Sequence, residues 1–523
     1  MSRASSDGAA LPMTSAQCAD LGTACWRPAG LVFLLAWGSC AIAQDAAQGR
    51  AITLSPSVSI SETLTDNARL SAADKTNEAV TQLTAALRMS GRSGRVQGLF
   101  DYALSGYVYA HDSASNTVQN TLNARLKADL IENWLSITGN AAIGQQAVSA
   151  FGVQSFDPIL GRANRTEVRS YQISPIVQGK TVGDLDYQAS ATRGATRTDS
   201  NATQGNTTST SGAVSVGSSR GSNLSWSALL SRQQVDYDGT RSNLTDTAKV
   251  SLAYVPAPNW QLSANAGRES SNVVSINPSA NAIWGFGANW SPASNLRVNG
   301  QFDHRFFGTG YQLGFEYRLP RSLLRLSSSR DVSTAQPTIA TVSTIYDFYS
   351  AQIASQVPDL TDRDRIVRDQ LQKIGRGPTD IIPTSFLPGV ATLQQRTDFS
   401  YALQGVRSTL AFSMATTTSR PLDRSTVGTG DFSRSSLVRQ RFLTVSLGHR
   451  LTPVSGISFE LARQTTDGSL ADQFTVLNSA RLSLTTSLGQ RSTASLAARH
   501  VVSDGSIQPY TENAIIATFG LKF

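Results

Sequence analysis

Cysteine is almost absent from this chain. Its three cysteines, Cys18, Cys25 and Cys40, all lie near the amino terminus, and none follows residue 43. Secreted soluble proteins often stabilise their folds with disulfides, so this pattern argues against that class. It suits instead a polypeptide that crosses an oxidising compartment unfolded, where stray disulfides would obstruct assembly.

Charge and long apolar runs are also scarce. Only 16% of the residues are charged and 40% are apolar, with a mean hydropathy of −0.17. After residue 43, no run approaches the roughly 20 apolar residues that a membrane helix needs. The net charge is +8, which favours an anionic partner such as lipopolysaccharide, an anionic glycan or a phosphate-rich solute. If the chain is exported, we expect no nucleic-acid partner.

Residues 1–43 have the pattern of a signal peptide. The apolar stretch 31–37 has the length of a signal-peptide core and is too short to span a bilayer. Small residues precede a predicted cleavage site between Ala43 and Gln44. Residues 44–51 then form a short periplasmic segment ahead of the first strand.

From Ile52 onward, apolar residues recur at every second position, in segments of about 10–14 residues. One segment alternates five apolar residues with four polar ones, namely Leu122, Ala124, Leu126, Ala128 and Leu130 against Asn123, Arg125, Lys127 and Asp129. One face can meet lipid while the other meets a polar lumen. We predict an all-β fold, a transmembrane antiparallel up-and-down β-barrel over 52–523, with about 22 strands (range 18–24) and no plug domain. Weak segments such as 209–219 could instead be loops.

Short turns alternate with long polar loops, as in outer-membrane barrels, whose periplasmic turns are short. The longest loop, 334–395, contains Val367, Leu371 and Ile374 at helical spacing, which predicts a short amphipathic helix. The loop is expected on the extracellular side. It either decorates the surface or folds into the lumen as a constriction.

The last residues alternate up to an aromatic carboxyl terminus. Phe519, Leu521 and Phe523 share one face of the predicted closing strand. This ending looks like the terminal strand of bacterial outer-membrane barrels, which serves as the recognition signal for the barrel-assembly machinery. We therefore expect that machinery and outer-membrane lipid as partners, and the bacterial outer membrane as the location.

Three segments resemble a known family. They are the opening motif at 61–67, the central motif at 303–308 with 318–322, and the loop helix at 358–378. The chain is similar here to the outer-membrane β-barrel proteins associated with the PEP-CTERM/exosortase system. The resemblance implies a setting of exopolysaccharide production and surface-protein sorting, and no particular reaction.

The predicted lumen face collects basic residues: Arg88, Arg125, Lys127, Arg297, Arg305, Arg318, Arg325, Arg481 and Arg499. Rings of charged side chains tune the selectivity of pores, so an open lumen lined in this way predicts anion preference or passage of an acidic glycan. The alternative is that these cations pair with lumenal carboxylates and solvate a closed interior.

Enzymatic chemistry has little support in the sequence. No metal-ligand cluster appears, and we expect no cofactor and no enzyme activity. A hydrolase at the barrel rim would need a nucleophile beside a histidine, and His500 with Ser503 and Asp504 nearby is the best candidate. His304 and His449 have outward parity and are interpreted as interface residues.

These observations lead to one preferred function and two alternatives. We expect a pore or export component linked to surface polysaccharide and the PEP-CTERM system. The first alternative is a structural barrel whose external loops bind glycan or surface proteins without transport. A rim hydrolase is the second.

Overall fold

The computed structural model describes residues 52–157, 159–181, 183, 185–199, 205–218, 223–238, 241–334, 346, 350, 360–373, 386, 389–422 and 430–523. These residues belong to one compact unit, Arg50–Phe523. The signal peptide 1–43, its cleavage site at Ala43 and Gln44, and segment 44–51 lie outside the described residues.

The strands are β1 (Ile52–Thr65), β2 (Glu78–Ser93), β3 (Val96–Tyr109), β4 (Thr117–Ile131), β5 (Leu135–Ala147), β6 (Arg165–Lys180), β7 (Leu185–Thr198), β8 (Thr207–Ser218), β9 (Leu224–Tyr237), β10 (Asn243–Ala257), β11 (Trp260–Ser271), β12 (Ser279–Ala293), β13 (Leu296–Arg305), β14 (Gly308–Leu319), β15 (Ser322–Ser333), β16 (Thr392–Gln404), β17 (Ser408–Pro421), β18 (Val438–Arg450), β19 (Ser455–Asp467), β20 (Phe474–Ser487), β21 (Ser492–Gly505) and β22 (Tyr510–Lys522). An α-helix, α1 (Leu360–Lys373), lies between β15 and β16. Short 3-10 segments occupy Ser113–Ser115, Arg162–Asn164 and Gly430–Ser433.

Every strand pairs in antiparallel fashion with the next in sequence, as β1 does with β2. The ring closes because β22 also pairs with β1, where Ile60 lies opposite Phe519. The predicted barrel class and the central count of 22 strands are confirmed. The weak segment 209–219 lies mostly within β8.

Because side chains alternate between the two faces of each strand, one set lies on the outer wall of the barrel and the other set faces the lumen. Register partners share a face, so Leu64 of β1 and Ile515 of β22 both point outward, and both are exposed. The outer wall carries many further large apolar side chains, among them Leu126, Leu252, Phe286 and Leu482. Such an apolar surface is costly in water and stable against lipid tails. The barrel is therefore built to span a membrane.

Within the described residues, no helix is both long and apolar enough to cross a bilayer.

The two ends of the barrel differ in their connections. Turns such as those joining β2 to β3 and β10 to β11 contain only a few residues, whereas the opposite end carries the long connections 66–77, 148–164, 334–391 and 422–437. Both Ile52 and Lys522 lie at the short-turn end. This asymmetry is typical of outer-membrane barrels, in which the long loops are extracellular.

Candidate functional site

The predicted loop helix is present, and it lies inside the barrel. Val367 and Leu371 of α1 are almost fully buried. They belong to one apolar cluster with side chains on the inner faces of β3 and β17–β19, namely Leu99, Ala415, Phe442 and Ala462. Helix α1 is thus packed within the lumen and narrows it. The predicted end of the helix, beyond residue 373, lies outside the described residues.

A buried carboxylate fixes α1 to the wall. Asp364 is fully shielded from solvent and forms an ion pair with Arg88 of β2. Its Oδ1 also accepts hydrogen bonds from Arg368 Nε and from Tyr346 Oη, both at 2.9 Å. Arg368 in turn pairs with Asp101 of β3. A buried charge needs such partners, because an uncompensated one would be costly.

The loop 148–164, between β5 and β6, also enters the lumen. Ile159 and Leu160 are buried in a second apolar cluster that includes wall residues from β2, β3 and β20–β22. Tyr109 Oη donates to the Ile159 carbonyl at 2.8 Å, and Tyr510 Oη donates to the Gln154 carbonyl at 2.5 Å. These bonds join the loop to strands that are far away in sequence.

The same loop is anchored by charge. Arg499 of β21 is buried and donates to Glu512 Oε1 at 2.7 Å. It also forms an ion pair with Asp157 of the loop. Burial disfavours the charged form of Asp157, but Arg499 and the Ile159 amide outweigh it and hold the pKa of that carboxyl below its ordinary 3.8.

A third inserted segment joins the first two. Asp431 accepts hydrogen bonds from Ser149 Oγ and from the Ala150 amide, both at 2.6 Å. The ring centroid of Phe432 lies 5.9 Å from that of Phe386, in the loop that carries α1. Burial raises the pKa of Asp431, although its two hydrogen bonds oppose the shift. The three loops therefore form one interlocked body inside the barrel.

The nine predicted lining residues all occupy strand positions that face the lumen, since each shares its face with inward register partners. Five of them have carboxylate partners. Besides Arg88 and Arg499, Arg305 donates to Glu269 at 3.2 Å and to Asp331 at 2.8 Å. Arg318 and Arg325 lie 2.6 and 3.8 Å from the same carboxylate, Glu316. These five cations therefore fit the alternative in which lumenal cations pair with lumenal carboxylates.

The other four differ among themselves. Arg481 lies opposite Glu460 in register and donates to Ser483 Oγ at 3.2 Å. Lys127 and Arg297 are exposed, and Arg125 is half-buried.

Each of the exposed cations Lys127 and Arg297 has one acid in its surroundings, and Asp129 shares the inward face of β4 with Lys127. Lys127 lies opposite Gln97 and Thr138. Arg297 lies opposite Glu316, which already binds Arg318 and Arg325. Lys127 and Arg297 are thus the two exposed cations among the nine lining residues.

The wall from β7 to β11 is rich in side-chain hydroxyls. Its inward hydroxyl residues that are partly buried, and not fully so, include Ser190, Thr192, Ser211, Ser215, Ser225, Thr245, Thr247, Ser251 and Ser263. The three apolar clusters of the inserted loops involve wall residues of β2, β3 and β17–β22 instead. The described loop residues thus pack against the apolar part of the lumen wall, and the hydroxyl-rich part of the wall lies on β7–β11.

The candidate group of His500 with Ser503 is not assembled in the structure. His500 Nδ1 lies 2.7 Å from Asn513 Oδ1 on the outer face, whereas Ser503 is buried on the opposite face of β21. The proposed pairing of His500 with Ser503 is therefore wrong, because an odd spacing along a strand places two side chains on opposite faces. His304 stacks on Trp284 at 5.5 Å, on the outer wall as predicted. Among the described residues, no group of His, Cys, Asp and Glu is arranged to hold a metal ion.

Sequence reasoning missed the buried acids that fix the loops. Asp364 belongs to the polar face of the predicted helix, and Asp157 lies in a polar loop, so neither stands out locally. Glu512 carries the one available signal, since it has inward parity next to Arg499 on the neighbouring strand.

No protein-family model matches the sequence, and no curated protein matches it. Solved structures match over 90% of the chain. The FrpB iron transporter from Neisseria meningitidis (F5-1 variant) is 11% identical, with 82% of its own chain covered and a TM-score of 0.45. The siderophore receptor PirA from Pseudomonas aeruginosa is 10% identical (80% covered, TM-score 0.43), and OccK2 (OpdF) from the same organism is 9% identical (98% covered, TM-score 0.32). Likenesses this weak do not indicate a shared solute.

Proposed function

We propose that this chain is an outer-membrane β-barrel that passes hydrophilic, anionic solutes through a lumen constricted by its own loops. The observation that carries the proposal is the insertion of α1, which lies against the inner wall with Asp364 bound to Arg88. A barrel serving only as a scaffold has no need of an internal constriction. A pore uses one to select what passes.

The hydroxyl-lined wall of β7–β11 supports a hydrophilic solute. Serine and threonine hydroxyls both donate and accept hydrogen bonds, so they can replace the water around sugar hydroxyls. The accessible cations Lys127 and Arg297 add a preference for negative charge. An acidic glycan, or a fragment of one, combines both properties.

The link to exopolysaccharide export and to the PEP-CTERM system rests on the sequence motifs alone. The alternative of a structural barrel, whose external loops bind glycan or surface proteins, is less favoured because three loops turn inward. If the export proposal is right, deleting the gene lowers the amount of surface polysaccharide. Expression of the D364N variant, which changes the acid that binds α1 to Arg88, then restores it.

Planar-bilayer recording tests the proposal directly. We expect wild-type protein to conduct with a permeability ratio that favours anions. The K127Q/R297Q variant should shift that ratio towards cations, because two accessible charges leave the lumen. The matched control R441Q/R463Q removes the same charge from the outer wall and should leave the ratio unchanged. Absence of conductance, or cation preference in the wild type, would contradict the proposal.

A further inference from the structure

A second group of arginines lies on the outside of the barrel. Arg441 of β18 has the same parity as Leu443, which is exposed on the outer wall, and Arg463 of β19 lies opposite Leu443 in register. Arg439 and, on β17, Arg420 have outward parity as well. Four guanidinium groups therefore occupy the outer face of three adjacent strands.

These arginines lie on the same face of the barrel and also at a similar height along its axis. Each lies within about five residues of the long-loop end of its strand. Directly below them on the same face are exposed apolar residues, among them Met414, Leu443 and Leu461. An arginine at the bilayer midplane of a barrel costs about 2–4 kcal/mol, but close to zero near the interface, so this position is at headgroup level.

The positive charge of this face is poorly balanced. Asp467 is the single acid at the outward positions of β17–β19, all of which the structure describes. Its Oδ2 lies 3.9 Å from Arg441 Nη1, and the Arg441 side chain is still 48% exposed. Four cations against one carboxylate leave a local excess of three positive charges.

Two outward arginines on other strands have closer carboxylate partners. Arg169 of β6 bonds to Glu167 at 2.8 Å and to Asp199 at 3.0 Å. Arg232 of β9 lies 3.6 Å from Asp246 of β10. By contrast, the four arginines of β17–β19 share one acid, which lies 3.9 Å from Arg441.

We infer that the β17–β19 face binds the phosphate groups of the phosphorylated glycolipid of the outer leaflet, the lipid A part of lipopolysaccharide. Arginine forks bind phosphate oxygens in bidentate, charge-assisted hydrogen bonds. The apolar strip beneath accepts the acyl chains of the same molecule. The inference rests on the outer-membrane location proposed above, and the arginine cluster adds a bound lipid to it.

The test uses the full protein, purified in mild detergent from outer membranes, with bound lipid A quantified by mass spectrometry. We expect R439Q/R441Q/R463Q to retain at least about tenfold less lipid A than wild type, which corresponds to about 1.4 kcal/mol. The matched variant R439K/R441K/R463K keeps the charge and should retain an intermediate amount. Heat-modifiable migration in gels verifies that each variant is folded.

Two further measurements distinguish lipid A from another anionic lipid, and the lipid-binding inference from the pore proposal. Detergent-stripped protein is mixed with purified lipid A or with phosphatidylglycerol, and preference for lipid A is expected. Equal binding of both lipids, or full retention of lipid A by the glutamine variant, would overturn the inference. The K127Q/R297Q barrel should bind lipid A normally, so a failure of the pore proposal shows only in conductance.

Discussion

Asp364 of α1 forms an ion pair with Arg88 of β2, and this contact joins the lumenal helix to the barrel wall. The carboxylate is fully buried, so its charge depends on Arg88 and on Arg368 one helical turn away. Asp364 is thus the buried acid among the contacts that hold α1, which also include the ion pair of Arg368 with Asp101 and the apolar packing of Val367 and Leu371.

The substitution Asp364→Asn should loosen α1. Removing one partner of a buried ion pair typically costs about 3–5 kcal/mol, because the remaining cations are left uncompensated. We expect a higher single-channel conductance and more frequent large openings. The control Asp362→Asn changes an exposed acid on the same helix, whose ion pair with Arg365 is also exposed. Equal conductance in wild type and D364N would show that α1 does not limit the pore.

The acid sensitivity of the loop 148–164 follows from Asp157. The pKa of Asp157 is below 3.8 in the folded barrel, chiefly because Arg499 outweighs the effect of burial. A carboxyl whose pKa is lowered by folding contributes stability above its unfolded pKa and loses that contribution as the pH falls through the folded value. We expect the loop to release below about pH 3.8.

Pepsin cleavage between pH 4 and pH 2 measures this release. Wild-type barrel should become susceptible within loop 148–164 as the pH falls. D157N should be susceptible already at pH 4, because its side chain has no charge for Arg499. The control D74N alters an exposed acid in another loop and should behave as wild type. A wild-type loop that stays resistant down to pH 2 would speak against the Asp157 anchor.

How far the sequence predicts this structure depends on the range of the interaction. Strand alternation is local, so residues such as Leu126 and Lys127 reveal their opposite faces without knowledge of the fold. The helix over α1 is likewise visible from Val367 and Leu371. The inward folding of the loops is not local, because Ile159 and Asp157 find their partners on β3, β21 and β22. The same limit explains why the lumenal cations were identified and their buried acid partners were not.

A close backbone contact makes Gly285 of β12 sensitive to substitution. A Cβ at this position would lie 2.3 Å from the Phe302 carbonyl oxygen of the paired strand β13. We expect Gly285→Ala to destabilise the barrel by about 1–3 kcal/mol, since the backbone must shift to accept the methyl group. The control Gly106→Ala on β3 adds the same methyl group where nothing lies within 4 Å. Urea unfolding in detergent compares the two, and equal midpoints would contradict the expectation.

Assembly of the barrel should respond differently to changes at Lys522 and Phe523, two neighbouring residues of opposite parity. Phe519 and Leu521 face outward on β22, and Phe523, which follows the strand, is 62% exposed, whereas Lys522 has inward parity. If the barrel-assembly machinery binds the outward face of this terminal segment, Phe523→Ala removes most of the apolar area that the last residue offers. Lys522→Gln changes only the lumen side. We therefore expect F523A to accumulate severalfold less folded barrel in the outer membrane, as judged by heat-modifiable migration, with K522Q near the wild-type level. Equal insertion of the two variants would mean that the terminal phenylalanine is not part of the signal.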